Sequence, residues 1–128
     1  MTTAQDVLTT NQAFYEAFEK MDVEAMGLIW SKGANATCIH PGRNVLQGWD
    51  QIRFSWDQIF RNTNHLEVAA DVISTELKGD LAYVVLVESL VQVVPDRRME
   101  VQGMVTNIFE YADGNWYLLH RHTSPLVR

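Results

Sequence analysis

The spacing of apolar residues changes from a helical to a strand period near Asn64. Before that point, apolar positions recur every three or four residues, which is the pattern of amphipathic helices. Three segments show it: Val7, Leu8, Phe14, Tyr15 and Phe18; then Val23, Met26, Gly27 and Trp30; then Ile52, Trp56, Ile59 and Phe60. Thr3 and Asp6 are placed as a capping pair for the first helix, and Asp22 as a cap for the second. A short strand is expected at Thr37–Ile39, between the second and third helices.

After Asn64 the chain alternates apolar and polar residues, as strands do. Turn residues divide this half into long strands at Lys78-Gly79-Asp80, at 95–98 and at Asp113-Gly114. Asp-Gly between apolar runs is a strong hairpin signal, because both central residues of the tight turn require positive φ. The sequence therefore predicts an α+β fold in which residues 1–128 form a single domain, with the N-terminal helices packed on the concave face of a curved antiparallel sheet.

The strand predicted at Leu81–Val94 is apolar on both faces. One face of an antiparallel sheet usually meets water, so a strand that is apolar on both faces indicates a cover on its outer side. The residues predicted to form that outer patch are Tyr83, Val85, Val87, Val91, Ile108 and Leu119. We expect a homodimer through this face.

A two-residue turn at Asp113-Gly114 fixes which side chains of the last two strands face each other. Counting outward places Asn107 opposite His120 and Val105 opposite His122, all on the face that carries Phe109. Facing residues lie on the same side of a sheet. The pattern predicts a concave surface that is aromatic at one end and polar at the other, which is typical of a ligand pocket.

Composition narrows the classes of function. The chain has 128 residues with a net charge of -6 and only 10 Lys and Arg, which argues against nucleic-acid binding. The absence of a leader-like terminus and of a long apolar segment predicts a cytoplasmic protein with no membrane span. Cys38 is expected to be a buried apolar residue. No phosphate-binding glycine loop or dinucleotide fingerprint occurs, so no cofactor is expected.

Several stretches resemble one known family. FYEAFEKMD, ATCIHPG, QGWDQIRFSW, VTNIFEYADGNW and the closing HRHTSP, in this order, are similar to the SnoaL-like branch of the nuclear transport factor 2-like superfamily. The resemblance spans nearly the whole chain and implies a cone-shaped fold. That fold serves ketosteroid isomerases, polyketide cyclases, dehydratases, transport factors and kinase association domains, so it does not determine the function.

Similarity to ketosteroid isomerase implies roles for individual residues. His40, which ends its strand just before Pro41, stands where that family has a carboxylate base, and Asn107 stands where it has a protonated aspartic acid that holds the enolate oxygen. Phe14 falls on the position of the family's oxyanion tyrosine, with Tyr15 next to it. Because phenylalanine donates no hydrogen bond, steroid isomerisation itself is not expected.

Three interpretations remain open at this stage. The first is an enzyme that transfers a proton on a small, largely apolar carbonyl compound, with His40 as base, Asn107 as donor and His120 or His122 assisting. The residues expected to line its pocket are Phe14, Trp30, Trp56, Phe60, Val105 and His122. The second is a non-catalytic dimeric module for ligand binding or association. The third is a metal site formed by His40, His120 and His122, although no acidic ligand has a convincing spacing.

The pKa of His40 depends on the direction of Glu88. An apolar pocket should lower the pKa of His40 below its ordinary value of about 6.5, whereas a buried carboxylate beside the imidazole should raise it. A two-residue turn at Asp96-Arg97 would set Glu88 opposite Val105 and inward, and a three-residue turn would set it outward.

Overall fold

A computed structural model describes residues 2–126 of the chain. It contains three helices, α1 (Ala4–Glu19), α2 (Val23–Ile29) and α3 (Trp49–Arg61). It contains six strands, β1 (Thr37–Ile39), β2 (Leu46–Gln47), β3 (His65–Lys78), β4 (Leu81–Val94), β5 (Arg97–Ala112) and β6 (Asn115–Pro125). The predicted α+β fold is confirmed, and β1 has the predicted bounds.

The helix starts follow from local hydrogen bonding. The Asp6 carboxylate accepts from the backbone N–H of Thr3 at 2.7 Å, as in a capping box. The Asp22 carboxylate accepts from the backbone N–H of Ala25 at 3.0 Å and caps α2. Both caps satisfy amide groups that have no partner within their helices, which confirms the two predicted helix starts.

The strands form one curved, unclosed sheet in the order β2-β1-β6-β5-β4-β3. Neighbouring strands are antiparallel except for β1 and β6, which are parallel, with Cys38 beside Arg121. The short strand β2 was not predicted from the sequence. Because β1 pairs with β6, His40, which follows β1 directly, lies next to β6.

The hairpin between β5 and β6 has the predicted turn. Asp113 and Gly114 have φ angles of 52° and 83°, and Ala112 pairs with Asn115. The predicted register holds as far as Phe109 and Leu118, which are paired. The turn chemistry therefore determines the near half of the hairpin.

The far half of the hairpin does not have the predicted register. A β-bulge inserts Leu119, so Ile108 pairs with His120 and Asn107 pairs with Arg121. The predictions that His120 faces Asn107 and that His122 faces Val105 were wrong. One extra residue in β6 reverses the face of every side chain that follows it, because side chains alternate with a period of two. Arg121 thus points to the concave side, and the two histidines point to the convex side.

The turn between β4 and β5 is formed by two residues, Pro95 and Asp96, one position earlier than supposed. Glu88 is therefore opposite Gly103 instead of Val105. Gly103 and Val105 are two positions apart on β5 and therefore lie on the same face of the sheet, so Glu88 still has the inward direction predicted for a two-residue turn. Glu88 points inward and is 3% exposed.

The core lies between the helices and the concave face of the sheet. In β4 the even-numbered residues Ala82, Val84 and Leu86 are buried, whereas their odd-numbered neighbours on the convex face are partly exposed. This alternation agrees with the predicted outer face, on which Tyr83 is 38% exposed. No helix of residues 2–126 has the length and apolar character that crossing a membrane requires.

Candidate functional site

A cavity of about 830 Å³ opens between α3, the end of β1 and the concave face of the sheet. Its volume is within the range of about 300–1,000 Å³ that is usual for small-molecule sites. Apolar side chains supply much of the wall, among them Phe18, Ile59, Leu66 and Leu90. Polar groups of distinct chemistry lie among them, and these groups define the candidate site.

His40 enters the cavity from the end of β1. The following turn is held by the backbone N–H of Arg43, which donates to the His40 carbonyl at 3.0 Å. His40 Nε2 lies 2.8 Å from Ser55 Oγ on α3, and the imidazole meets the Trp56 ring edge to face at 5.0 Å between centroids. The ring is thus fixed by contacts on two sides while it lines the cavity.

The environment lowers the pKa of His40 from its ordinary value of 6.5 to about 4. Burial is the largest cause, followed by the positive charges of Arg121 and Arg43. Glu88 does face inward, which we expected to raise this pKa. Its carboxylate is instead paired with Arg121, so His40 is neutral at pH 7.

Glu88 and Arg121 form a buried ion pair in the cavity wall. Arg121 Nη2 donates to the two carboxylate oxygens of Glu88 at 2.8 and 3.1 Å, and Nη1 donates to the Tyr15 hydroxyl at 3.1 Å. The guanidinium carbon lies 5.1 Å from the Phe14 ring centre and 5.7 Å from that of Trp56. Burial alone would lower the pKa of Arg121, but Glu88 leads the contributions that outweigh it and the pKa is raised. The arginine is therefore charged and held in an aromatic enclosure.

Asn107 belongs to a buried polar network and does not itself line the cavity. Its amide nitrogen donates to Asn11 Oδ1 at 3.0 Å and to the Tyr15 hydroxyl at 3.4 Å, and the residue has no exposed surface. Burial raises the pKa of Tyr15 to about 12, against the opposing charge of Arg121. We call Asn11, Tyr15, Glu88, Asn107 and Arg121 the buried polar chain. It connects α1 to three strands.

The other predicted site residues divide among three places. Trp56 lines the cavity. Phe14, Trp30 and Val105 are buried in the core without lining it, and Phe60 packs on Trp56 at 5.7 Å between ring centres. His120 and His122 lie on the convex face, where Thr37 Oγ1 is 2.6 Å from His120 Nδ1. Only His40 and Trp56 of the predicted set are therefore brought together in the cavity.

The convex position of His120 and His122 also separates them from His40. The arrangement that a three-histidine metal site requires is therefore not formed. Within residues 2–126, no group of three or more His, Cys, Asp and Glu is suited to hold a metal ion.

Sequence reasoning missed Ser55, Arg43 and Arg121. A signal existed for two of them. Ser55 is three residues after Ile52 and four before Ile59, so it shares their helix face. A carboxylate that points inward from an apolar strand, as Glu88 does in one of the two predicted turns, favours a buried cation beside it, and Arg121 is the only arginine in the last strand.

A second depression, of about 910 Å³, lies where β3, β4 and β5 approach the chain end near Leu126. It presents the carboxylates of Glu19, Glu67 and Glu100 and no histidine. The Glu19 carboxylate already accepts from the backbone N–H of Val68 at 2.9 Å. This depression lacks the combination of base, cation and apolar wall that the first cavity has.

Comparisons with known proteins agree with this architecture. The chain is 23% identical over 128 residues to the F-box protein SKIP8 of Arabidopsis thaliana; the match covers 98% of this chain but about half of that protein (52%). A candidate dehydratase of the NTF2-like family from Streptomyces avermitilis superposes with a TM-score of 0.89 at 28% identity, over 98% of this chain and 96% of that one.

A candidate association domain of calcium/calmodulin-dependent protein kinase type II from Thiobacillus denitrificans superposes with a TM-score of 0.83 at 22% identity, over 92% and 93% of the two chains. Its level of identity supports a shared fold alone. Residues 7–128 match the SnoaL-like domain family, and the chain therefore belongs to that family.

Proposed function

We propose that this SnoaL-like protein binds a small, largely apolar carbonyl compound in the 830 Å³ cavity and moves a proton on it, with His40 as the base. The observation that carries the proposal is the placement of a neutral imidazole in an apolar cavity wall beside a buried guanidinium. Isomerisation and dehydration are reactions of this class. The candidate dehydratase among the structural neighbours supports the same class.

The basicity of His40 suits proton abstraction next to a carbonyl. Ketosteroid isomerase removes such a proton with an aspartate whose pKa is only about 4.6, because its oxyanion donors stabilise the enolate. A His40 pKa of about 4 is close to that value. In the proposed step, the proton passes from the α-carbon to a ring nitrogen of His40 and the electron pair moves to the carbonyl oxygen. The imidazolium then returns the proton to carbon or to a departing hydroxide.

Arg121 is the group we assign to the developing oxyanion. It lies in the cavity wall, and it shares a neighbour with His40: the guanidinium carbon is 5.7 Å and the imidazole centroid 5.0 Å from the Trp56 ring centre. Asn107 then acts as a positioning residue, since it donates to Tyr15, which accepts from Arg121. This role replaces the direct contact with ligand that the family resemblance implied.

The test is exchange of the α-protons of β-tetralone in deuterium oxide, followed by proton NMR. We expect the protein to accelerate exchange, His40→Ala to abolish the acceleration, and His65→Ala to retain it. His65 is a matched control because it is an exposed histidine that pairs with Glu67 outside the cavity. Since the neutral imidazole is the active form, the rate should fall as the pH drops through about 4. Equal rates for the protein and His40→Ala would contradict the proposal.

A non-catalytic dimeric module is the second candidate. The apolar convex face supports it, together with the fold shared with the kinase association domain. The patch consists of Tyr83, Val85, Val87, Val91, Ile108 and Leu119. In this alternative a second copy covers the patch.

Sedimentation tests the dimer directly. We expect a dimer at micromolar concentration that Val87→Lys dissociates and Leu28→Lys does not. Leu28 is a matched control because it is an exposed apolar residue (81%) on helix α2, outside the patch. A monomer for the unmodified chain would contradict the homodimer. The absence of a cofactor and of a nucleic-acid partner, and the cytoplasmic location, stay predictions.

A further inference from the structure

The charged groups of the cavity do not cancel. Its wall contains two arginines, Arg43 and Arg121, and one carboxylate, Glu88. With His40 neutral, two positive charges and one negative charge leave a net charge of +1. The whole chain has a net charge of -6, so the cavity is a positive site on an acidic protein.

The unbalanced charge belongs to Arg43. Glu88 is fully engaged with Arg121, whose Nη2 contacts both of its oxygens. Arg43 is exposed at the cavity rim, and none of its contacts among residues 2–126 is an ion pair within 4.0 Å. Its backbone is fixed by the hydrogen bond to the His40 carbonyl, so the cation is tied to the strand end that carries the base.

We infer that the ligand is an anion: a small apolar compound with one carboxylate, whose negative group pairs with Arg43 at the rim while its apolar body packs on Trp56. This inference rests on the proposed function, since it names the substrate class for the same cavity. A local positive potential concentrates anions at the cavity mouth, although the protein as a whole repels them. The carboxylate need not reach Arg121, whose charge is already compensated.

Three probes of similar shape and different charge test the inference: β-naphthoate, β-naphthamide and β-naphthylmethylammonium. We expect isothermal titration to give affinities in the order anion, neutral, cation. Because the rim is exposed and screened, the anion should exceed the amide by about fivefold at low salt, and this preference should fall as salt is added. Arg43→Gln should remove the preference while the amide still binds.

Arg53→Gln is the matched control, because Arg53 is also exposed, lies on α3 and pairs with Glu24 outside the cavity. It should leave the order of the probes unchanged. Equal affinity for naphthoate and naphthamide, or an equal effect of Arg43→Gln on both, overturns the anion inference and leaves the cavity proposal standing. Failure of all three probes to bind at millimolar concentration overturns both.

Discussion

The buried polar chain and the cavity wall beside His40 meet at Arg121 but satisfy their polar groups in different ways. In the buried polar chain, Glu88, Tyr15 and Arg121 bond to one another and are each less than 5% exposed. In the wall, His40 Nε2 lies 2.8 Å from Ser55 Oγ and 4.0 Å from Cys38 Sγ, and both His40 and Ser55 line the cavity. Glu88 and Tyr15 are paired inside the fold and mainly determine stability, whereas His40 faces the cavity and remains available for chemistry; Arg121 belongs to both regions.

The difference has an energetic consequence. A buried ion pair contributes little net stability relative to apolar residues of the same volume, but loss of one partner leaves an uncompensated charge. The buried polar chain should therefore tolerate substitution poorly. Substitutions of His40 and Ser55 in the cavity wall should cost less, since water in the cavity can replace the hydrogen bonds that are lost.

Substitution of Glu88 should have the largest effect. Glu88→Gln leaves the buried Arg121 charge without its carboxylate and should lower the free energy of unfolding by about 3–5 kcal/mol. The exposed pair of Glu24 and Arg53, with a 2.7 Å contact, is the matched control. Glu24→Gln should cost less than about 1 kcal/mol. Urea denaturation measures the free energy of unfolding of both variants. Similar losses for the two would contradict the expected difference between the buried and the exposed ion pair.

Acid should weaken the fold through His40. Its folded pKa of about 4 is below the ordinary 6.5, so the unfolded chain binds the proton first as the pH falls. The stabilising contribution is fully present above pH 6.5 and is lost as the pH drops towards 4, by about 3 kcal/mol in total.

The variant His40→Ala isolates this contribution. It should differ from the unmodified protein by no more than about 1 kcal/mol at pH 7 and should lack this part of the acid dependence. Between pH 7 and pH 4 the unmodified protein should therefore lose about 3 kcal/mol more than His40→Ala, so that the variant is the more stable of the two at pH 4. Parallel curves would show that His40 titrates as an exposed histidine does.

Removal of the Ser55 hydroxyl should have a small effect on stability and a clear effect on His40. Ser55→Ala deletes the 2.8 Å hydrogen bond and should cost about 1 kcal/mol. Because that bond engages Nε2, nitrogen NMR should show an altered distribution of the proton between the two ring nitrogens. Ser124→Ala, on the exposed end of β6, serves as the control. Unchanged ring signals in Ser55→Ala would contradict the contact.

His122 should have the smallest effect. Its side chain is exposed on the convex face, so His122→Ala should change the free energy of unfolding by less than about 0.5 kcal/mol and leave binding of naphthamide unchanged. Calorimetry measures both quantities. Loss of binding would indicate that His122 lies inside the cavity, as a pairing of β5 and β6 without the bulge at Leu119 would require.

The sequence predicted what depends on local patterns. Thr3, Asp22 and Asp113-Gly114 determine helix starts and a turn through neighbouring backbone groups, and all three were predicted correctly. His40 was found because a titratable residue ends a strand before Pro41. It lines the cavity, and its role as a base stays a prediction.

Apart from His40 and Trp56, the residues that line the cavity were not predicted. Their positions depend on the bulge in β6 and on how α3 packs, and local sequence patterns determine neither. No turn residue or glycine marks the bulge at Leu119. Pairing β5 with β6 residue by residue from the turn, without a bulge, therefore predicted that His120 faces inward and Arg121 outward. The contact of Ser55 with His40 spans 15 positions of sequence and depends on how α3 packs against the end of β1. Helix periodicity alone does not determine that packing.

The bulge has a consequence for evolutionary comparison. The segment from His120 to Thr123 carries two alternating sets of side chains, the histidines and the pair Arg121 and Thr123, and the one extra residue determines which set enters the cone. A relative without that extra residue aligns correctly only if a gap is placed at Leu119. An ungapped alignment would equate residues from opposite faces of the sheet. Insertion or deletion of a single codon at this point is therefore a route by which paralogues can exchange an imidazole for a guanidinium in the pocket without any substitution.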